Sequence, residues 1–87
     1  MRTRIIATEE TLGTSAGAAT SISTATCVRL VNNSGAVRVV AVSTVVGAAS
    51  STFFSMPDGT VEFLEKSANE VIWADGAVLG AKVGFTN

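Results

Sequence analysis

The sequence predicts an all-β domain, a small antiparallel β-sandwich or barrel of about seven to eight short strands. Three observations carry this reading. Valine, threonine and isoleucine dominate, and no stretch repeats its apolar residues with the 3.6-residue rhythm of an amphipathic helix. Turn signals such as Met56-Pro57-Asp58-Gly59 and Asp75-Gly76 break the chain at short intervals. The 87 residues are 47% hydrophobic and only 15% charged, which is too apolar for disorder and short enough for a single β domain, 1–87.

The expected elements follow from local chemistry. Residues 2–7 read as a strand. Residues 8–26 form a Ser/Thr/Ala/Gly-rich loop or arm, with a loop at 13–17 and, at 19–25, a weak edge strand or a piece that orders against a neighbouring chain. Between Gly13 and Thr26 the single large apolar residue is Ile22. Cys27–Asn32 and 36–46 read as a hairpin about Asn33-Ser34-Gly35, because glycine tolerates the positive φ of a tight reversal. The second of these runs carries valines on both faces and should be a central strand. Pro57 presets φ and Gly59 supplies a left-handed residue, so a turn joins 51–55 to Thr60–Glu65. Residues 65–69 make a polar corner before a strand at 70–74. Asp75-Gly76 then reads as a hairpin that returns the chain as 77–85, where Ala77, Leu79, Ala81, Val83 and Phe85 form the core face.

Composition excludes more functions than it names. With no His, the residue most used for proton transfer and metal ligation is missing, and the single Cys27 can form neither an internal disulfide nor a metal cluster. Cys27 reads as a small buried hydrophobe. Lys66 or Lys82 would have to serve as base in any Ser–Lys arrangement, and no spacing supports one. Glu62 and Glu65 fall on opposite faces of a strand and make no local carboxylate pair. No phosphate loop or dinucleotide fingerprint occurs. The expectation is a noncatalytic protein with no cofactor and no metal. A net charge of −1 gives neither nucleic acid nor an anionic membrane a basic surface to bind. Asn32-Asn33-Ser34 matches a glycosylation acceptor and reads instead as turn chemistry.

Few charges on so small a core point to burial against identical copies, hence a homo-oligomer. Candidate interface residues follow from strand faces. Gly76, Gly80 and Gly84 share a face with Val78 and Lys82, which relieves crowding or offers a flat seat for a partner. One of Phe53 and Phe54 must leave its sheet's core, and Phe54 is taken as that residue. Ile22 on the arm completes the set of Phe54, Val78, Gly80, Lys82, Gly84 and Ile22.

The run Gly59-Thr60-Val61-Glu62-Phe63-Leu64-Glu65-Lys66-Ser67-Ala68-Asn69-Glu70-Val71-Ile72-Trp73-Ala74, with Val83-Gly84-Phe85-Thr86-Asn87, resembles small β-sandwich virion proteins of tailed bacteriophages of the marine and cyanobacterial type. It covers roughly the C-terminal third of the chain. The resemblance implies a structural role: a capsid decoration or cement protein, or a small head–tail or tail component. Such a protein is made in the host cytoplasm, is carried in the virion and is bound to a major capsid, tail or connector protein. The rival reading is a monomeric ligand- or carbohydrate-binding β-sandwich with Trp73 or Phe54 as a stacking platform.

Overall fold

The computed structural model describes residues 2–47 and 52–86. The expectations placed on Ser51 and Asn87, and on the side chain of Phe85, lie outside the described residues. Among the described residues eight strands run in the order β1 (Arg2–Ile5), β2 (Glu10–Thr11), β3 (Cys27–Asn32), β4 (Arg38–Ser43), β5 (Thr52–Met56), β6 (Thr60–Glu65), β7 (Val71–Ala74) and β8 (Val78–Thr86). They form two antiparallel sheets, as predicted for a small all-β sandwich. The larger has the order β1-β8-β3-β6, with β2 also on β8, and the smaller has the order β5-β4-β7.

In the larger sheet β1 and β2 are two halves of one edge strand. Ile5 lies opposite Val83 and Glu10 opposite Gly80. Between them Ile6 and Ala7 both donate N–H to Lys82 O, at 2.9 and 3.4 Å, so the chain bulges away before it re-pairs. β3 has both edges occupied, by β6 on one side and β8 on the other.

That occupancy corrects two expectations. Asn33-Ser34-Gly35 and Asp75-Gly76 are not hairpin turns; each carries the chain from one sheet to the other, because no edge of β3 remains for β4 and β8 is claimed by β3 and β1. The hairpin that does form joins β4 to β5 in the smaller sheet, where Val40 opposes Phe54. β4 is the central strand, as its two-faced valine pattern predicts, with β7 on its other side. Its observed span, Arg38–Ser43, is shorter than 36–46.

The core lies between the sheets. Val28, Leu30 and Val78 face Val40, Met56, Ile72 and Ala74, and Val42, Phe54 and Leu64 pack on this cluster from its margin. Residues 12–26 close the sandwich: Leu12, Ile22 and Ala25 are buried in the same cluster. Residues 8–26 thus take the loop form of that expectation, packed on this chain's own core. They contain β2, a 3-10 turn at Ala16–Ala18 and a single bridge from Thr20 to Ile72, with no edge strand at 19–25.

Ile22, Ser23 and Thr24 adopt successive left-handed conformations with φ of 52°, 56° and 57°. For residues with a β-carbon this costs about 1–2 kcal/mol each. Local bonds offset it: Thr20 Oγ1 accepts from Ile22 N at 3.2 Å and Ser21 Oγ from Thr24 N at 3.1 Å, while the Lys82 ammonium donates to Ser23 O at 3.1 Å. The turn drives Ile22 into the core at 1% exposure, where burying such a side chain contributes about 1.5–3 kcal/mol.

One end of the sandwich is locked by a buried amide. Asn32 Nδ2 donates to Ala36 O at 2.9 Å and Met56 O at 2.7 Å, and its Oδ1 accepts from Ser34 N at 3.1 Å and Ser34 Oγ at 2.8 Å. Two of the sheet-to-sheet corners, β3–β4 and β5–β6, therefore share one side chain, and Asp58 adds a bond from Gly35 N at 2.9 Å. Asn32 is fully buried. Its place here bears out the turn-chemistry reading of Asn32-Asn33-Ser34.

Candidate interaction surfaces

Residues opposite one another in a ladder share a face, so register sorts every strand side chain. On β8 the even positions Val78 and Gly80 point inward. Val78 is fully buried, and a β-carbon on Gly80 would come within 3.1 Å of Leu12 Cδ2 and 3.5 Å of Leu30 Cδ2. The core face is therefore the glycine face, the reverse of the expected one. Both faces of β8 are apolar, and the side with room for Leu12 went inside. The space over Gly80 belongs to this chain's own leucines, that over Gly84 to Ile6 Cδ1 at 3.2 Å, and that over Gly76 to the Arg38 guanidinium.

Of the six candidate interface residues, Ile22, Val78 and Gly80 are thus interior, and Gly84 lies under Ile6. Lys82 is half-buried with its ammonium on Ser23 O. Phe54 packs against the core, and it is Phe53 that turns outward, 56% exposed. Period-2 alternation placed one of the pair outside without saying which. Val40, opposite Phe54, faces the core, and that fixes the choice.

The outward faces are the open surfaces. On the larger sheet the rows Val61–Val31–Leu79 and Phe63–Arg29–Ala81 cross three strands, with Ile5 and Val83 beside them, and Ala81 and Val83 are themselves buried beneath their neighbours. Ile5, Val61 and Phe63 are 57%, 43% and 47% exposed. The charges amid this apolar face include Arg29, bonded to Glu9 at 3.5 Å with both side chains over one-third exposed. On the smaller sheet Ala41 lies between Phe53 and Trp73, whose rings meet edge to face at 6.3 Å. Trp73 is half-buried, and its indole Nε1 is shielded from solvent without a hydrogen-bond partner.

An open cleft of about 530 Å³ is lined by Thr26, Cys27, Glu65, Lys66, Ser67 and Glu70. Its polar groups serve the fold. Lys66 is buried, and its ammonium donates to Glu70 O at 2.8 Å and Ser67 O at 3.2 Å, closing the corner between β6 and β7. Burial holds its pKa below the ordinary lysine value against the opposing pull of Glu70. Burial, aided by the Glu65 carboxylate, pushes the Cys27 thiol up, which suppresses the nucleophilic thiolate. Both lysines that might have activated a serine are committed to backbone carbonyls. Among the described residues no group of three or more metal-ligating side chains occurs. No protein-family profile, curated protein or solved structure matches the chain.

Proposed function

We propose that this chain is a noncatalytic structural protein of a bacteriophage virion, a capsid decoration or cement subunit or a head–tail or tail component, acting by assembly. One observation carries the reading: the outward face of the larger sheet presents Ile5, Val61 and Phe63 to solvent, backed by Val31 and Leu79. Apolar surface of this kind on a small domain marks an interaction site. At ~25 cal/mol per Å², covering a few hundred Å² contributes several kcal/mol before the cost of association. The virion setting is supported by the resemblance of residues 59–74 and 83–87. Homo-oligomeric contacts and a major capsid or tail protein are the partners it implies.

Purified phage particles encoding this chain test the proposal. Peptide mass spectrometry should find it in the particle, and electron microscopy should give a fixed copy number and location. Val61→Lys and Phe63→Lys, both on exposed positions, should leave the fold intact and strip the chain from the particle. Absence of the wild-type chain from particles overturns the reading.

A second reading has its own observation. The exposed Phe53, packed edge to face on Trp73, is an arrangement that a ligand-binding module would use, with a ring stacked on Phe53. Saturable quenching of tryptophan fluorescence by a soluble glycan, from monomeric protein, would replace the structural proposal with this one.

A further inference from the structure

We infer that the open edge of β5 pairs antiparallel with β5 of a second copy, two-fold about Phe54, joining the small sheets into one six-stranded sheet. This names a partner and contact for the proposed assembly and rests on that reading.

Hydrogen-bond parity fixes which groups face the edge. Asp75 N donates to Val39 O at 3.0 Å, and Val39 N donates to Asp75 Oδ1 at 3.0 Å. The odd residues of β4 therefore aim their peptide groups at β7 and the even ones at β5. Val40 and Val42 lie opposite Phe54 and Thr52, so Thr52, Phe54 and Met56 face β4. Phe53 and Ser55 direct two N–H and two C=O groups away from the sheet.

A two-fold axis at Phe54 sets Phe53 opposite Ser55 of the other copy, twice over. All four outward groups are then paired in four hydrogen bonds, and the whole of Thr52–Met56 overlaps its mate. Sliding two residues toward the C-terminus brings in Pro57, which has no N–H to donate. A one-residue slip turns inward-facing side chains outward and is excluded by the sandwich itself. At the axis the two Phe54 rings meet across a narrow pair, covering the part of Phe54 that its own core leaves exposed.

Charge selects this edge and a like partner. The chain has no charged residue between Arg38 and Asp58, so two copies of β5 meet without repulsion. β6 carries Glu62 and Glu65, and two copies there would face carboxylate with carboxylate. β7 is covered, since Ile72 exchanges N–H···O bonds with Thr20 and Ala74 N donates to Gly13 O at 3.0 Å. β8 is flanked on both sides. An uncharged, apolar edge strand is the kind that recruits another strand, and β5 lacks the lysine, glutamate or bulge that would blunt it.

The test uses the full chain. At about 100 μM, enough to populate any dimer of micromolar Kd, light scattering should give twice the chain mass. The amides of Phe53 and Ser55 should exchange with deuterium at least tenfold more slowly than at 1 μM. Thr52, Phe54 and Met56 should be protected at both concentrations. Ser55→Pro, which removes an edge-facing N–H, should give a folded monomer, and exposed Ser55→Lys should weaken the dimer at least tenfold should proline perturb the strand. A monomer at 100 μM overturns the inference. A dimer in which Phe53 and Ser55 exchange at the monomer rate also overturns it, while leaving the virion proposal to be judged by particle composition.

Discussion

Replacing Asn32 with alanine is the sharpest perturbation the fold offers, because one amide holds two of the corners, β3–β4 and β5–β6, that switch the chain between sheets. The substitution removes donors to Met56 O and Ala36 O and an acceptor for Ser34. Each partly exposed bond is worth about 1 kcal/mol. The bond to Met56 O is fully buried, and an acceptor stranded there costs about 1–3 kcal/mol. With three partly exposed bonds, a total loss of about 4–6 kcal/mol is a large share of the roughly 5–10 kcal/mol expected of a domain this size. At about 4–8 °C per kcal/mol, the thermal midpoint should fall by about 15–50 °C. Circular dichroism melts and urea titrations would measure it. Asn32→Asp adds a signature. At neutral pH a carboxylate would face two carbonyl oxygens, whereas the protonated acid can still donate to one. Its folded pKa must therefore be raised, and stability should be highest at low pH and decline as pH rises through that value. An Asn32→Ala loss below about 1 kcal/mol would refute the argument that this amide locks the corners.

Gly80→Val should destabilise the isolated chain by about 1–3 kcal/mol, because its side chain would enter space held by Leu12, Leu30 and Val28. An unchanged urea midpoint at low micromolar concentration would mean that the glycine face of β8 is open after all. The cleft groups predict opposing alkaline slopes. Cys27 has its folded pKa raised, so its contribution is intact below the ordinary thiol value and fades as pH rises through the folded one. Lys66 has its folded pKa lowered, so stability grows as pH climbs toward the ordinary lysine value. From about pH 8 to 10, Cys27→Ala should therefore tilt the stability curve upward and Lys66→Met should tilt it downward. Parallel curves for the two variants would contradict the assignment.

Strand positions were largely legible in the sequence because alternation and turn residues act locally. The expected bounds of Cys27–Asn32 and Thr60–Glu65 match the structure, while the polar corner falls one residue later than 65–69, with the next strand starting at Val71. Strand partners were less legible. Asn33-Ser34-Gly35 and Asp75-Gly76 specify that the chain reverses, but the same residues serve a hairpin or an arch between sheets, and competition for the two edges of β3 decides. The inner face of β8 was hidden because both of its faces are apolar and Leu12, distant in sequence, fills the glycine side. Ile22 was misjudged because a Ser/Thr/Ala context looks coreless. Nothing in its neighbours announces three left-handed residues that turn its side chain inward. Of the outward surfaces, the Phe53/Phe54 alternation gave half the answer. The apolar rows of the larger sheet require knowing that β6, β3 and β8 lie side by side.

The position of β8 governs when the molecule can assemble itself. Arg2 pairs with Thr86 and Asn32 with Val78, so the larger sheet is stitched through the strand that follows the other seven described strands in the chain. Until β8 is present β1 and β2 have no ladder to join and β3 has β6 alone, whereas β4, β5 and β7 can already meet. Closure over such long sequence separations is slow. Folding should therefore begin in the minor sheet and finish only once β8 is available, with a waiting interval in which Val28 and Leu30 are exposed to chaperones or to other nascent chains.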